Sequence, residues 1–468
     1  MSTVAAPRRT AAREPRESWW AALGAKGHRA FAAAFAGYAL DAFDLIILTL
    51  SLTAIGATFH VSTGATGLLT TATLTASALG GVIAGVLCDR IGRARTLMLT
   101  VAVYSFFTFL SGLAPSYDAL LAIRVFQGIG FGGEWAVGAI LVAELVRPES
   151  RGRAIGVIQS AWAVGWALAV IAWTIVFSLL PEEQAWRWLM VLGALPALLI
   201  FYVRRNVEDP EVFRETRANE KRRKRQAQAG DRAGELPLKR IFRRDLLRTT
   251  IAASLLATGI QGGYYAMFTW IPTYLKTERD LSVVGTSTYL AVVIAGSFLG
   301  YLSAGFIHDR LGRKRTFALF ASLAGASLVM YFLVPRGSNT TLLFVGFPLG
   351  FFASGCFSGF GSYLSELFPT QARGTGGGFC YNVGRGIGAL FPGVIGFLAA
   401  AIGLGGAVAF GVVGYVIAIC ALAFLPETRG VELSAGDAPP VAADDRPRTG
   451  PRMEPSATRA TGGSPARR

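Results

Sequence analysis

The stretch GVLCDRIGRAR, residues 85–95, returns as GFIHDRLGRKR at 305–315, an offset of 220 positions. Further along, AELVRPESRG (143–152) and SELFPTQARG (365–374) align at an offset of 222, pairing Glu144 with Glu366 and Arg151 with Arg373. Both loops lie between long apolar runs. A repeat period of half the chain, with six such runs in each half, is the pattern of a duplicated transporter. Two unrelated six-helix units would not share these loops.

The composition agrees with this reading. Of 468 residues, 52% are hydrophobic and 16% charged, with a mean hydropathy of +0.46; ordinary soluble domains are about 25% charged. Apolar runs of about 20 residues, enough to cross the hydrocarbon core, are expected near 30–56, 64–88, 96–114, 119–146, 152–180, 186–203, 249–275, 283–307, 316–335, 340–368, 374–400 and 404–425. The predicted fold class is an all-α polytopic membrane protein with twelve transmembrane helices in two six-helix bundles, 29–203 and 249–425. A basic tail (1–28) without the apolar core of a leader peptide precedes the first bundle. A linker at 204–248, with 15 Lys/Arg against eight Asp/Glu, separates the bundles. A Pro/Ala/Asp/Arg-rich tail at 426–468 is expected to be disordered.

The net charge of +16 is topological, not a sign of nucleic acid. Lys and Arg crowd the termini and the even-numbered loops, while the odd-numbered side carries few (Arg187, Lys276, Arg279, Arg336). The positive-inside rule then places both termini in the cytoplasm and the chain in the plasma (inner) membrane. The four cysteines (Cys88, Cys356, Cys380, Cys420) match no disulfide or metal framework, and no cofactor or metal is expected.

The doubled G-x-x-x-D-R-x-G-R-x-[RK] loop, RVFQGIG (124–130) and PETRG (426–430) together resemble the major facilitator superfamily over residues 28 to 432. GYALDAFDLIIL (37–48) with FGGEWAVGAILVAE (131–144) is similar to its metabolite:proton symporters, in the sialate:proton symporter and lactate-permease-like branch. The resemblance implies alternating access between two halves. It also implies that Asp89, Arg90 and Arg93, with Asp309, Arg310 and Arg313, latch the cytoplasmic side. Arg151 and Arg373, each seven residues after Glu144 or Glu366, can close the same charge network. Topology determination alone is the plainer account of these loops.

Charges inside the spans need a different explanation. An ionisable group at mid-bilayer costs about 2.5–3.5 kcal/mol on insertion scales. Asp41 and Asp44 are spaced i, i+3 on helix one, near mid-depth. Two such neighbouring carboxylates cannot both ionise cheaply, which suits the pair to carrying a proton. The matching second-half stretch, YYAMFTW, has no acid, so the shared fold does not require them. Glu134, among glycines that permit close helix approach, is expected to join Asp41 and Asp44 in a proton relay, with Arg124 modulating it. The alternative is a set of structural ion pairs. His28, His60 and His308 read as lying at or outside span ends, so coupling rests on carboxylates.

Arg385, in FCYNVGRGIGALFPG (379–393), is the substrate clue. A buried guanidinium needs an anion, supplied either by a protein carboxylate or by a substrate carboxylate held through paired hydrogen bonds. Asn382, Gln261, Tyr264, Tyr265 and Trp270, with Tyr38, are expected to line the same cavity, although aromatic stripes in membrane helices more often serve packing. The sequence therefore predicts a monomeric proton symporter importing a small organic acid: lactate or pyruvate, an aromatic acid or a sugar acid. A proton-driven exporter and a non-transporting sensor on the same scaffold are the alternatives. No nucleotide loop, metal cluster or nucleophile–base pair suggests an enzyme.

Overall fold

The computed structural model describes residues 20–145, 151–195, 197–198, 237–369 and 372–429; the side chains of residues 22, 26, 88–90, 93–94, 134–145 and 151–153 lie outside this description. The first half contains α1 (Gly24–Phe59), α2 (Thr63–Ile91), α3 (Arg93–Gly112), α4 (Tyr117–Leu145), α5 (Arg151–Leu179) and α6 (Glu182–Leu192). The second contains α7 (Arg244–Thr277), α8 (Val283–Leu311), α9 (Arg313–Leu333), the pair α10 (Asn339–Gly355) and α11 (Phe357–Leu367), then α12 (Arg373–Gly388), α13 (Leu390–Ala409) and α14 (Val412–Leu422). A one-turn helix, Pro237–Arg240, precedes α7. Among the described residues, eight helices are long and apolar enough to cross a membrane.

Among the described residues the helices follow the twelve expected crossings, the sixth only in part, with three departures from one unbroken helix per span. The tenth crossing is divided at Cys356, between α10 and α11, although the backbone there keeps right-handed helical angles (φ −53°, ψ −36°). The eleventh is interrupted at Ala389, between α12 and α13. Gly403 (φ 76°) then divides α13, so its last turn already belongs to the twelfth crossing. These helices are apolar on nearly all sides because they face protein on one side and hydrocarbon on the other.

The repeated loop motif folds the same way twice. Gly92 (φ 104°) separates α2 from α3, and Gly312 (φ 101°) separates α8 from α9. Only glycine adopts that backbone conformation without strain, so the G-R of each repeat is a turn followed at once by a helix start. Packing is mirrored as well. A Cβ on Gly132 of α4 would lie 1.7 Å from the Ser77 carbonyl of α2, and one on Gly350 of α10 would lie 2.0 Å from the Val293 carbonyl of α8. Close backbone approach at small residues is what holds membrane helices together where no hydrophobic driving force acts between them.

The chain begins to be ordered earlier, and stays ordered longer, than composition predicts. α7 starts at Arg244 rather than 249. Pro426, expected in a disordered tail, accepts a 2.8 Å hydrogen bond from the Tyr363 hydroxyl, and Glu427 and Thr428 are packed beside it. Linker residues 204–236 and tail residues 430–468 lie outside the described residues.

Candidate transport site

At the centre of the molecule, between the halves, is a cavity of about 20 Å³, room for one or two water molecules. The first half contributes Tyr38 and Asp41 from α1, Leu74, Phe131 and Trp162; the second contributes Tyr264 and Tyr265 from α7, Tyr301, Phe357, and Tyr381 and Arg385 from α12. The walls are therefore almost wholly aromatic. Tyr38 packs on Trp162 with ring centroids 5.5 Å apart, and Tyr264 meets Phe357 at 4.9 Å. Of the lining residues only Asp41 and Arg385 carry charge, one from each half.

Arg385 is 6% exposed. Its guanidinium lies 5.2 Å from the centroid of the Tyr381 ring, one helical turn earlier on α12, a favourable cation–π placement when desolvated. The Tyr265 and Tyr381 hydroxyls stand beside it. Gln261, expected to line the cavity, lies behind it: its Nε2 donates to the Tyr381 main-chain oxygen at 3.0 Å, and its Oε1 accepts from the Tyr265 hydroxyl at 3.0 Å. Trp270 is also displaced from the expected lining. Its indole Nε1 donates to the Pro392 carbonyl at 3.1 Å, where α7 meets α13. Asn382 donates to the Gly378 carbonyl at 2.9 Å and faces Gly81 of α2.

Asp44 is not in this cavity. It is fully buried and accepts hydrogen bonds from Thr108 of α3 and Gln127 of α4. Arg124, one turn before Gln127, is also fully buried; its Nη2 reaches the Met190 sulfur at 2.7 Å, and its Nε and Nη1 have no hydrogen-bond partner among the described residues. Asp44 and Arg124 form no ion pair within 4.0 Å. A buried carboxylate held by neutral donors, with an incompletely bonded cation nearby, is an arrangement whose charge balance changes when one proton is added or removed. Glu134, the third expected relay member, has its side chain outside the described residues.

On the face carrying the repeated loops, the second-half network is visible. Arg313 bridges Asp309 (2.6 Å) and Glu366 (3.1 Å), and Glu366 accepts from the Thr428 hydroxyl at 2.5 Å. Glu427 accepts from the Arg313 and Lys314 backbone amides at 2.7 and 3.2 Å, capping α9. Arg373 donates to the Ser365 carbonyl at 2.9 Å, and Arg310 is exposed. The first-half counterparts Asp89, Arg90, Arg93, Glu144 and Arg151 have side chains outside the described residues. His308, expected at a span end, is buried in the last turn of α8 against Phe317.

The opposite face holds contacts that no local sequence pattern marks. Lys276 of α7 pairs with Glu182 of α6 at 2.6 Å, joining the two halves. The Gly393 amide donates to Thr71 at 3.0 Å, joining α13 to α2. Thr174 of α5 and Ser287 of α8 share a hydrogen bond of 2.6 Å.

Comparison with known proteins follows the same lines. The chain is 39% identical over 417 residues to a probable 4-methylmuconolactone transporter of Cupriavidus pinatubonensis, covering 89% of this chain and 94% of that one. It is 31% identical over 394 residues to the cis,cis-muconate transport protein of Acinetobacter baylyi, covering 84% and 92%. Among solved structures, the D-xylose-proton symporter superposes with a TM-score of 0.66 at 18% identity, covering 86% of this chain and 99% of that one; at that identity the likeness concerns the fold. The profile of one family matches residues 34–391 and 298–456. With the doubled loop, the twelve crossings and the inter-half cavity, this makes the chain a transporter and not an enzyme: it belongs to the Major Facilitator Superfamily.

Proposed function

We propose that the protein is a proton-coupled importer of a small, planar, unsaturated or aromatic carboxylate, working as a monomer in the plasma membrane with both termini in the cytoplasm. The observation that carries this reading is Arg385, a cation buried in an aromatic cavity between the halves. A guanidinium offers paired donors to a carboxylate. Tyrosine and tryptophan rings favour a flat π-bearing body over an aliphatic or heavily hydroxylated one. Muconate, named for one relative, is a conjugated carboxylate of this kind.

In the proposed cycle the cavity opens outward, and Asp44 takes up a proton within its Thr108–Gln127 pocket. The substrate carboxylate docks on Arg385, with Asp41 facing its far end. The halves then rock about the bound anion, the loop-face network parts, and the proton and the anion leave to the cytoplasm. A cavity of 20 Å³ cannot contain such a substrate, so binding requires the halves to separate from the closed arrangement described above. An exporter of apolar compounds would have no use for Arg385.

The deciding experiment uses purified protein in liposomes containing a pH indicator, with cis,cis-muconate, benzoate, lactate or glucuronate added outside. Lumen acidification with muconate or benzoate, absent with glucuronate and lost in Arg385→Gln, supports the proposal. Uptake of an acid without acidification removes proton coupling. No response to any acid removes the importer reading.

A further inference from the structure

Gln261 is fully buried, touches no part of the cavity surface, and uses both ends of its amide. One end faces the Tyr381 main-chain carbonyl, which can only accept, so that end must be the NH2 group. The other end is then the carbonyl oxygen, which can only accept, so the Tyr265 hydroxyl 3.0 Å away must donate its proton to it. This assignment follows from hydrogen-bond chemistry and admits no amide flip. The Tyr265 oxygen is left with lone pairs and no proton to offer, and Arg385, which has only donors, stands beside it.

We infer that Gln261 is a positioning residue that fixes the direction of the Tyr265 hydroxyl, so that its oxygen and not its proton faces Arg385. The inference rests on the reading of Arg385 as the carboxylate anchor. A directed chain results, from the guanidinium to the phenol to the amide, with the amide's own N–H tying α7 to α12. The phenol steadies the guanidinium as a neutral dipole and leaves its positive charge available. It also withholds its proton from the substrate, so carboxylate recognition falls to Arg385. Glutamine suits this task where glutamate would not: a carboxylate at position 261 would repel the Tyr381 carbonyl and, when ionised, compete with the substrate for the same cation.

The test is a double-mutant cycle in liposomes, reading KM and Vmax for benzoate or cis,cis-muconate uptake, whichever the wild type saturates with. Gln261→Leu and Tyr265→Phe are each expected to raise KM roughly tenfold, the scale of one charge-assisted hydrogen bond, with Vmax little changed. In the Tyr265→Phe background, Gln261→Leu is expected to add almost nothing. A purely structural bridge from α7 to α12 predicts the opposite, with the same loss in both backgrounds. That result would overturn the inference. Gln261→Glu, which keeps the size of the side chain, is expected to raise KM further; an unchanged KM in this variant would also overturn it. Arg385→Gln separates this inference from the reading beneath it. Loss of binding there, with normal KM in Gln261→Leu, refutes only the positioning role. Unchanged KM in Arg385→Gln, or uptake of neither acid by the wild type, refutes the anchor and the positioning role together.

Discussion

Asp41 and Asp44 lie one turn apart on α1 and reach different surroundings: Asp41 lines the inter-half cavity that Arg385 also lines, while Asp44 is sealed between α3 and α4 by Thr108 and Gln127. Positions three residues apart on a helix differ by about 60° in direction. In a tightly packed bundle that angle is enough to send one side chain into the cavity and the other into a neighbouring helix pair. Under the proposed cycle this arrangement gives Asp41 substrate contact and Asp44 protonation, whereas the bare sequence assigns both residues to carrying a proton.

Replacement of Asp44 should therefore uncouple rather than inactivate. Asn keeps the shape, its Oδ1 accepting from the Gln127 amide while its Nδ2 donates to the Thr108 hydroxyl, but it cannot gain or lose a proton. Asp44→Asn is expected to lose accumulation driven by a pH gradient while retaining counterflow exchange of labelled substrate at equal pH. Asp41→Asn should instead change KM, because that residue lines the cavity in which the proposed cycle binds the substrate. Measuring gradient-driven uptake and counterflow on the same proteoliposomes checks both. Loss of counterflow in a folded Asp44→Asn protein would contradict the division.

Arg385 should make the protein discriminate charge more than shape. Benzoate and benzamide are nearly the same size and flatness, but only benzoate can form a charge-assisted pair with the guanidinium. Such a bond contributes about 1.5–3 kcal/mol, so benzoate is expected to compete for uptake about 10- to 100-fold better than benzamide. In Arg385→Gln the preference should collapse. Inhibition curves for the two compounds measure it directly.

Much of the fold is legible because one loop is written twice. The positive φ at Gly92 and at Gly312 is what the repeated glycine requires, and the two halves follow from it. The site is legible in depth but not in direction. Residue counting puts Asp41 and Arg385 near mid-bilayer with Tyr38, Tyr264 and Tyr265 expected beside them, and these five line one cavity. Gln261 and Trp270 are on α7 with Tyr264 and Tyr265, yet they turn away, because the face a helix presents depends on neighbours that no local pattern names. Trp162, Tyr301, Phe357 and Tyr381 are missing from the sequence reading because an aromatic residue in an apolar span carries no mark separating lining from packing. Gln127 had a signal, a buried amide one turn after a buried arginine. Lys276 and Glu182 had none, since their contact spans 94 positions and joins the two halves.

The Glu427 carboxylate should hold the second half together at its loop face. It caps the first turn of α9 through the Arg313 and Lys314 amides, next to Gly312, where a Cβ would come 2.6 Å from that carboxylate. Loss of an N-terminal cap costs about 0.5–2 kcal/mol. Glu427→Ala is expected to lower the melting temperature of the detergent-solubilised protein by a few degrees, and Glu427→Gln, which keeps an acceptor, by less. Equal melting of the three proteins would show that the cap carries no stability.

The far face should behave as a gate. The Lys276–Glu182 pair is partly exposed, with side-chain exposures of 22% and 49%, and such pairs contribute about 0–1 kcal/mol. Neutralising it should hardly move the melting temperature. Its position matters more than its strength, because it joins α7 of one half to α6 of the other, and substrate cannot enter from this side while the halves touch here. The touching surface is built for contact without side chains: a Cβ on Gly67 would lie 2.7 Å from the Pro392 carbonyl and 2.8 Å from the Trp270 ring, and one on Gly396 would lie 2.7 Å from the Thr63 carbonyl. Two variants then push in opposite directions. Cysteines at 182 and 276, bridged by a short reducible bifunctional reagent, hold the face closed and should stop uptake until reductant is added. Gly67→Val wedges the face open and should also stop uptake, but it should raise labelling of a cysteine at position 393 by a membrane-impermeant maleimide added on that side. If bridged protein transports normally, the two halves do not part at this face and the gate lies elsewhere. If Gly67→Val leaves labelling unchanged, the glycine contact belongs to static packing and not to the gate.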